Sequence, residues 1–231
     1  MIKPGPSGPL KPYGDPMRIT PQDACKRTRD ICNLAPIVPV LVVEDAATAR
    51  PLAEALVAGG LPALEVTLRT PAALKAIAEM AKVKGGVVGA GTLVTPKDVE
   101  AAVAAGAQFG VSPGATDELI AACEANGLPL LAGAATATEA MQMLARGYDL
   151  LKFFPAEASG GAPALKAIGA PLPQISFCPT GGVSLANANS YLGLSNVICA
   201  GGSWVAPKEM VAAGDWAGIE ALAREARQLG G

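Results

Sequence analysis

The sequence predicts a single-domain (β/α)8 barrel of the TIM type, and three observations carry that prediction. Eight short apolar runs recur, starting at residues 37, 63, 87, 109, 129, 150, 175 and 197. The starts are 26, 24, 22, 20, 21, 25 and 22 residues apart. Amphipathic segments of helical length fill the intervals, and 231 residues suit one barrel, whose usual size is about 250. Continuous apolar strands alternating with helices belong to a parallel sheet covered on both faces or closed on itself. A doubly wound open sheet is the structural alternative.

Residues 1–16 hold five prolines (Pro4, Pro6, Pro9, Pro12 and Pro16) and no basic-then-apolar signal pattern. They read as a disordered leader, native or left over from expression, ahead of a barrel domain over 17–231. A helix is expected over Pro21–Cys32 with Thr20 as N-cap. Strands are then expected over 37–43, 63–68, 87–90, 109–111, 129–131, 150–154, 175–177 and 197–199. Helices are expected over 46–58, 71–81, 96–105, 117–126, 138–146, 185–192 and 215–229. Thr70-Pro71 and Thr95-Pro96 read as helix starts, and Gly59, Gly106, Gly127 and Gly147 as helix ends.

Eighteen basic and 20 acidic residues leave a formal net charge of −2. That balance favours neither nucleic acid nor an anionic membrane as partner. Charged residues are 16% of the chain, against about 25% in an average soluble domain, so other subunits are expected to cover part of the surface. There is no histidine. This removes Ser-His-Asp triads, Cys-His nucleophiles, HExxH metal sites and histidine general bases together. Cysteines stand at 25, 32, 123, 178 and 199 without a CxxC pair. A reducing compartment, the cytoplasm, fits better than a disulfide framework. No apolar run has the roughly 18 residues of a membrane span.

Acid–base chemistry therefore falls to other groups. Of ten lysines, only Lys152 lies inside an apolar strand-like run, Leu150-Leu151-Lys152-Phe153-Phe154-Pro155. Burial among such neighbours disfavours an ammonium, and a neutral amine is a nucleophile toward carbonyls. A structural salt bridge is the plainer reading. The run Ala63-Leu64-Glu65-Val66-Thr67-Leu68-Arg69 sets Glu65, Thr67 and Arg69 on one strand face. Such a face fits a barrel interior near its mouth. The plainer reading there is a self-neutralising Glu65–Arg69 pair. A Schiff-base lysine needs a proton shuttle, and without histidine Glu65 is the candidate. Gly181-Gly182 and Gly201-Gly202-Ser203 follow the seventh and eighth runs. Paired glycines let backbone N–H groups reach an anion, and barrels hold phosphate at these two loops. Gly89-Ala90-Gly91-Thr92 lacks the third glycine of a dinucleotide fingerprint.

Six segments together resemble one family. They are Leu64-Glu65-Val66-Thr67-Leu68-Arg69-Thr70, Gly89-Ala90-Gly91-Thr92, Ser112-Pro113-Gly114, Lys152-Phe153-Phe154-Pro155-Ala156-Glu157, Phe177-Cys178-Pro179-Thr180-Gly181-Gly182 and Gly201-Gly202-Ser203-Trp204. From about residue 19 to 229 the chain resembles the bacterial 2-keto-3-deoxy-6-phosphogluconate aldolases, which also act on 4-hydroxy-2-oxoglutarate. The resemblance implies a class I aldolase on a (β/α)8 barrel, a homotrimer, without metal or organic cofactor. Its partners would be a small 2-keto acid and a phosphorylated sugar acid. Lys152 would form the Schiff base and Glu65 would move protons. Arg69 and Thr92 would hold the pyruvate carboxylate, and Thr180 would pack near the pyruvyl carbons. Pro113 and Phe154 would wall the pocket, while Gly181, Gly182 and Ser203 would bind phosphate.

One stretch departs from that pattern: Ala132-Gly133-Ala134-Ala135-Thr136 stands where the family has Pro-Gly ahead of the threonine. The missing proline is expected to loosen a loop near the pocket mouth. Segments 72–80 and 137–144 carry apolar residues on more than one side, including Met80, Met141 and Met143. They suggest a trimer contact or an additional interface in a larger assembly. A phosphosugar isomerase using Glu65, or a weakened barrel kept as an assembly scaffold, are the rival functions.

Overall fold

Threonines punctuate the chain into helices. The computed structural model describes residues 18–230, so the leader over 1–16 lies outside the described residues. Helix α1 (Pro21–Cys32) begins where the Thr20 hydroxyl accepts from the Asp23 N–H, with Pro21 at its first position. Thr95 and Asp98 form a reciprocal capping box, as do Thr136 and Glu139. Burial holds Cys123, one of five buried free thiols, up at about 12.

Between caps the chain alternates as expected. After α1 come β1 (Ile37–Leu41), a 3-10 turn (Ala46–Thr48) leading into α2 (Ala49–Ala58), β2 (Ala63–Thr67) and α3 (Ala73–Met80). Next are β3 (Val87–Gly91), α4 (Pro96–Ala104), β4 (Phe109–Val111), α5 (Asp117–Ala125), β5 (Leu130–Ala134) and α6 (Ala137–Ala145). The last part holds β6 (Leu150–Phe153), α7 (Gly161–Gly169), β7 (Ser176–Pro179), α8 (Ala188–Leu192), β8 (Ala200–Gly202), α9 (Lys208–Ala213) and α10 (Trp216–Arg227).

All pairings are parallel, in the order β7-β6-β5-β4-β3-β2-β1-β8. Parallel bridges Phe177↔Val197 and Thr180↔Gly201 join the two edges and close the ring. The fold is a (β/α)8 barrel, not an open doubly wound sheet. Alternation divides its core in two. Val38, Ala63, Val87, Phe109, Val111, Leu131, Leu150, Cys178 and Cys199 form one cluster with Ile31 and Cys32 from the end of α1. These residues from the strands and from Cys199 just ahead of β8 fill the interior, and α1 stoppers its N-terminal end. Leu64, Val66, Leu151, Phe153 and Phe177 belong to the larger cluster with Leu52, Leu56, Ile77 and other helix residues.

Several boundaries differ from the sequence expectation. The eighth strand pairs with β1 through Ala200, Gly201 and Gly202, beyond the apolar run at 197–199, because glycine strand positions carry no hydropathy. The fifth strand extends through Ala132 and Gly133, which pair with Leu151 and Lys152. The departure from the family pattern therefore lies in a buried strand, not a loose loop. The following turn is pinned, since Ala135 and Thr136 N–H groups both donate to Glu139 Oε2 at 2.8 and 2.9 Å. Thr70 does not cap α3; its hydroxyl donates to the Val43 carbonyl at 2.5 Å. Helices α7 and α9 had no expectation. Gly161, Pro163 and Gly169 weaken the helical pattern of the first, and the second has only six residues. Met80 and Met143 face the core, leaving Met141 as the exposed methionine of the three.

Candidate active site

Strands β2 and β6 lie four places apart in the ring of eight, so their inward side chains meet across the barrel. Glu65 comes from β2 and Lys152 from β6. Lys152 Nζ lies 3.1 Å from Glu65 Oε1 and 3.5 Å from Oε2. Their side chains are 6% and 3% exposed. Nζ also stands 5.3 Å from the centroid of the Phe154 ring. The amine is thus shielded from bulk water, but its nearest polar partner is a carboxylate and not an all-apolar shell. Glu65 pairs with Lys152, so the alternative of a Glu65–Arg69 pair does not hold.

The strand face read from the sequence is present. Glu65, Thr67 and Arg69 all line a cavity of about 280 Å³ at the C-terminal ends of the strands. Thr67 donates to the Leu41 carbonyl at 2.9 Å, and Arg69 Nε donates to Thr67 Oγ1 at 3.3 Å. Among the described residues Arg69 has no carboxylate partner. Its positive charge faces the cavity uncompensated.

Two backbone features shape the floor. A Cβ on Gly91 would sit 2.3 Å from Glu65 Oε1, so only glycine admits the carboxylate there. The Gly89–Gly91 pair, which fits no dinucleotide loop, has its physical reason in this close approach. Thr92 follows at φ 62°, the single non-glycine residue with positive φ among those described. A β-branched residue in that region is strained by about 1–3 kcal/mol. On β7, Cys178 is buried in register with Lys152.

The rim is glycine-rich. Thr180 is 6% exposed, and the Thr180↔Gly201 bridge sets the loops after β7 and β8 side by side. Gly181 and Gly182 have φ 101° and 78°, conformations in which successive N–H groups can converge on an anion. All ten residues nominated from the sequence line this one cavity: Lys152, Glu65, Arg69, Thr92, Pro113, Phe154, Thr180, Gly181, Gly182 and Ser203. Val40 and Val183 also line it and had not been nominated. Only the alternation of Val40 with Val38 could have marked it as inward-facing.

Fold and site together define a lyase of the Schiff-base aldolase class. The family described as KDPG and KHG aldolase matches residues 28–222, and the chain belongs to that family. The 2-dehydro-3-deoxy-phosphogluconate aldolase of Pseudoalteromonas atlantica is 50% identical over 200 residues, covering 86% of this chain and 93% of that one. The 2-keto-3-deoxy-6-phosphogluconate aldolase of Zymomonas mobilis, solved with 3-phosphoglycerate, superposes with a TM-score of 0.85 at 49% identity. That match covers 89% of this chain and 97% of the other. The enzyme of Legionella pneumophila, with pyruvate captured as a covalent carbinolamine, gives 0.84 at 45% identity, covering 87% and 98%.

Proposed function

We propose that this enzyme reversibly cleaves 2-keto-3-deoxy-6-phosphogluconate to pyruvate and glyceraldehyde 3-phosphate, with Lys152 as the Schiff-base residue. The observation that carries the assignment is the buried 3.1 Å contact between Lys152 Nζ and Glu65 Oε1 inside the cavity. The amine becomes nucleophilic by giving its proton to Glu65. Nζ attacks the C2 ketone, and Glu65 returns the proton as the carbinolamine loses water to an iminium ion. That cation accepts the electron pair of the C3–C4 bond as Glu65 takes the proton of the C4 hydroxyl. Glyceraldehyde 3-phosphate leaves. Glu65 returns that proton to C3 of the enamine, and water hydrolyses the resulting iminium ion to pyruvate and the lysine.

Arg69 and Thr92 hold the carboxylate, and Thr180 packs against the pyruvyl carbons. Pro113 and Phe154 wall the pocket, and Gly181, Gly182 and Ser203 take the phosphate. Positioning and preoriented donors supply the rate acceleration. The same machinery cleaves 4-hydroxy-2-oxoglutarate to pyruvate and glyoxylate, a reaction needing every part except the phosphate loops. An isomerase would have no use for a lysine against the carboxylate, and a scaffold would have no use for either.

The test is pyruvate with borohydride, which should add irreversible mass at Lys152. Label on any other lysine overturns the assignment. Glu65→Gln should lower turnover by about 10²–10⁴-fold; unchanged turnover makes the carboxylate structural.

The enzyme is assigned as a cytoplasmic homotrimer. Exposed Val42, Leu74 and Val94, contributed by the first three β–α units, support an interface between copies. Met141 on α6 and Leu185 are the other exposed large apolar residues among those described, and Met141 is the one left of the methionines put forward for a larger assembly. Light scattering on the purified protein gives the mass: a trimer alone removes the larger assembly, and a monomer removes both. No described helix is long and apolar enough to cross a membrane.

A further inference from the structure

The phosphate loop is held from behind by residues that do not line the cavity. The Gly181 carbonyl accepts from the Glu157 N–H at 3.0 Å. The Gly182 carbonyl accepts from Asn187 Nδ2 at 3.0 Å. Asn187 Oδ1 in turn accepts from the Ser184 N–H at 2.8 Å, so one side chain grips the loop at both ends. In a planar trans peptide the C=O and N–H point in opposite directions. Drawing the two carbonyls outward therefore turns the N–H groups of Gly182 and Val183 toward the cavity that both residues line. Among the described residues neither N–H has a partner.

Glu157 is itself fixed. Tyr191, fully buried on α8, donates its hydroxyl to Glu157 Oε1. Burial, this hydrogen bond and the Glu157 charge push the Tyr191 phenol up, so it stays a donor. The Glu157 methylenes lie against Gly182, where a Cβ would sit 2.6 Å from Glu157 Cγ. Asn187 is the N-cap residue of α8, so Asn187 and Tyr191 reach the loop from one element.

We propose that Asn187 and the Tyr191–Glu157 pair are positioning residues that set the preference for a phosphorylated substrate by aiming the Gly182 and Val183 amides. This rests on the assignment of Gly181, Gly182 and Ser203 to phosphate. Both substrates present the same C1–C4 hydroxy-keto acid portion to the site, and only one of them brings a phosphate to the loop. Loosening the loop should cost only the first.

The experiment compares steady-state cleavage of both substrates by Asn187→Ala, Tyr191→Phe and Ser203→Ala. Asn187→Ala should raise KM for the phosphorylated substrate about tenfold or more, the loss of oriented hydrogen bonds to a charged group. Its kcat/KM on 4-hydroxy-2-oxoglutarate should stay near the parent value, and inhibition by inorganic phosphate should weaken in parallel. Tyr191→Phe deletes one hydroxyl and should move the same quantities in the same direction, which keeps the test open should Asn187→Ala not fold. Equal losses on both substrates, or a fall in kcat alone, give these residues a structural role and overturn the proposal. A KM effect from Ser203→Ala without one from the other two also overturns it, while the phosphate assignment stands. No effect from Ser203→Ala removes the assignment and the proposal together.

Discussion

A single methyl group placed at Gly91 should separate catalysis from folding. Its Cβ would lie 2.3 Å from Glu65 Oε1 and 2.7 Å from Glu65 Cγ, where ordinary contact begins near 3.4 Å. The carboxylate must therefore shift by about 1 Å, out of the position from which it now contacts Lys152 at 3.1 Å. A displacement of about 1 Å can cost about 10²-fold in rate, or about 2.7 kcal/mol of barrier. Overpacking adds about 1–3 kcal/mol of destabilisation. Gly89→Ala is the control, because its Cβ would strike the Phe109 ring at 2.5 Å instead. Both variants should lose stability in urea unfolding. Only Gly91→Ala should lose turnover in a coupled pyruvate assay, and pyruvate-dependent borohydride trapping should slow with it. Turnover near the parent value in folded Gly91→Ala, or an equal loss in Gly89→Ala, refutes the reasoning.

Thr92→Gly should relieve the positive-φ strain and, after the added freedom of the unfolded chain is subtracted, raise stability by about 1 kcal/mol. It should also raise KM for both substrates about tenfold through loss of one donor to a carboxylate. Thermal melts and initial rates decide both halves, and a variant with unchanged KM removes Thr92 from the carboxylate clamp. The N–H groups of Ala135 and Thr136 and the Thr136 hydroxyl hold the Glu139 carboxyl below its ordinary range. A depressed folded-state value means stability present above the unfolded value and lost as pH falls through the folded one. Glu139→Gln should therefore cost up to about 1 kcal/mol at neutral pH, with the gap to the parent closing in acid. A gap independent of pH in urea titrations contradicts this.

Much of the barrel was legible because its strands are apolar and its helices are capped. Runs at 63, 87, 109 and 150 start where β2, β3, β4 and β6 start, since valine, leucine and phenylalanine mark both the strand and its burial. The eighth strand was misplaced because Ala200-Gly201-Gly202 has hardly any side chain to read. Lys152 and Glu65 stood out as charges inside greasy strands. That they touch is a property of ring closure, which no local pattern contains. Gly91 shows the same boundary: its reason is another residue's carboxylate, brought alongside by β-pairing. Val40 and Val183 look like any core valine until the cavity exists.

The helix that stoppers one end of the barrel also dictates traffic. With Ile31 and Cys32 packed into the far side, the cavity is reached from the C-terminal ends of the strands, whose residues line it. In the mechanism proposed above, the fragment bonded to Lys152 sits behind the one held at the rim. The aldehyde therefore has to vacate first, and the keto acid queues behind it. In the synthetic direction the same corridor loads in reverse, keto acid before aldehyde.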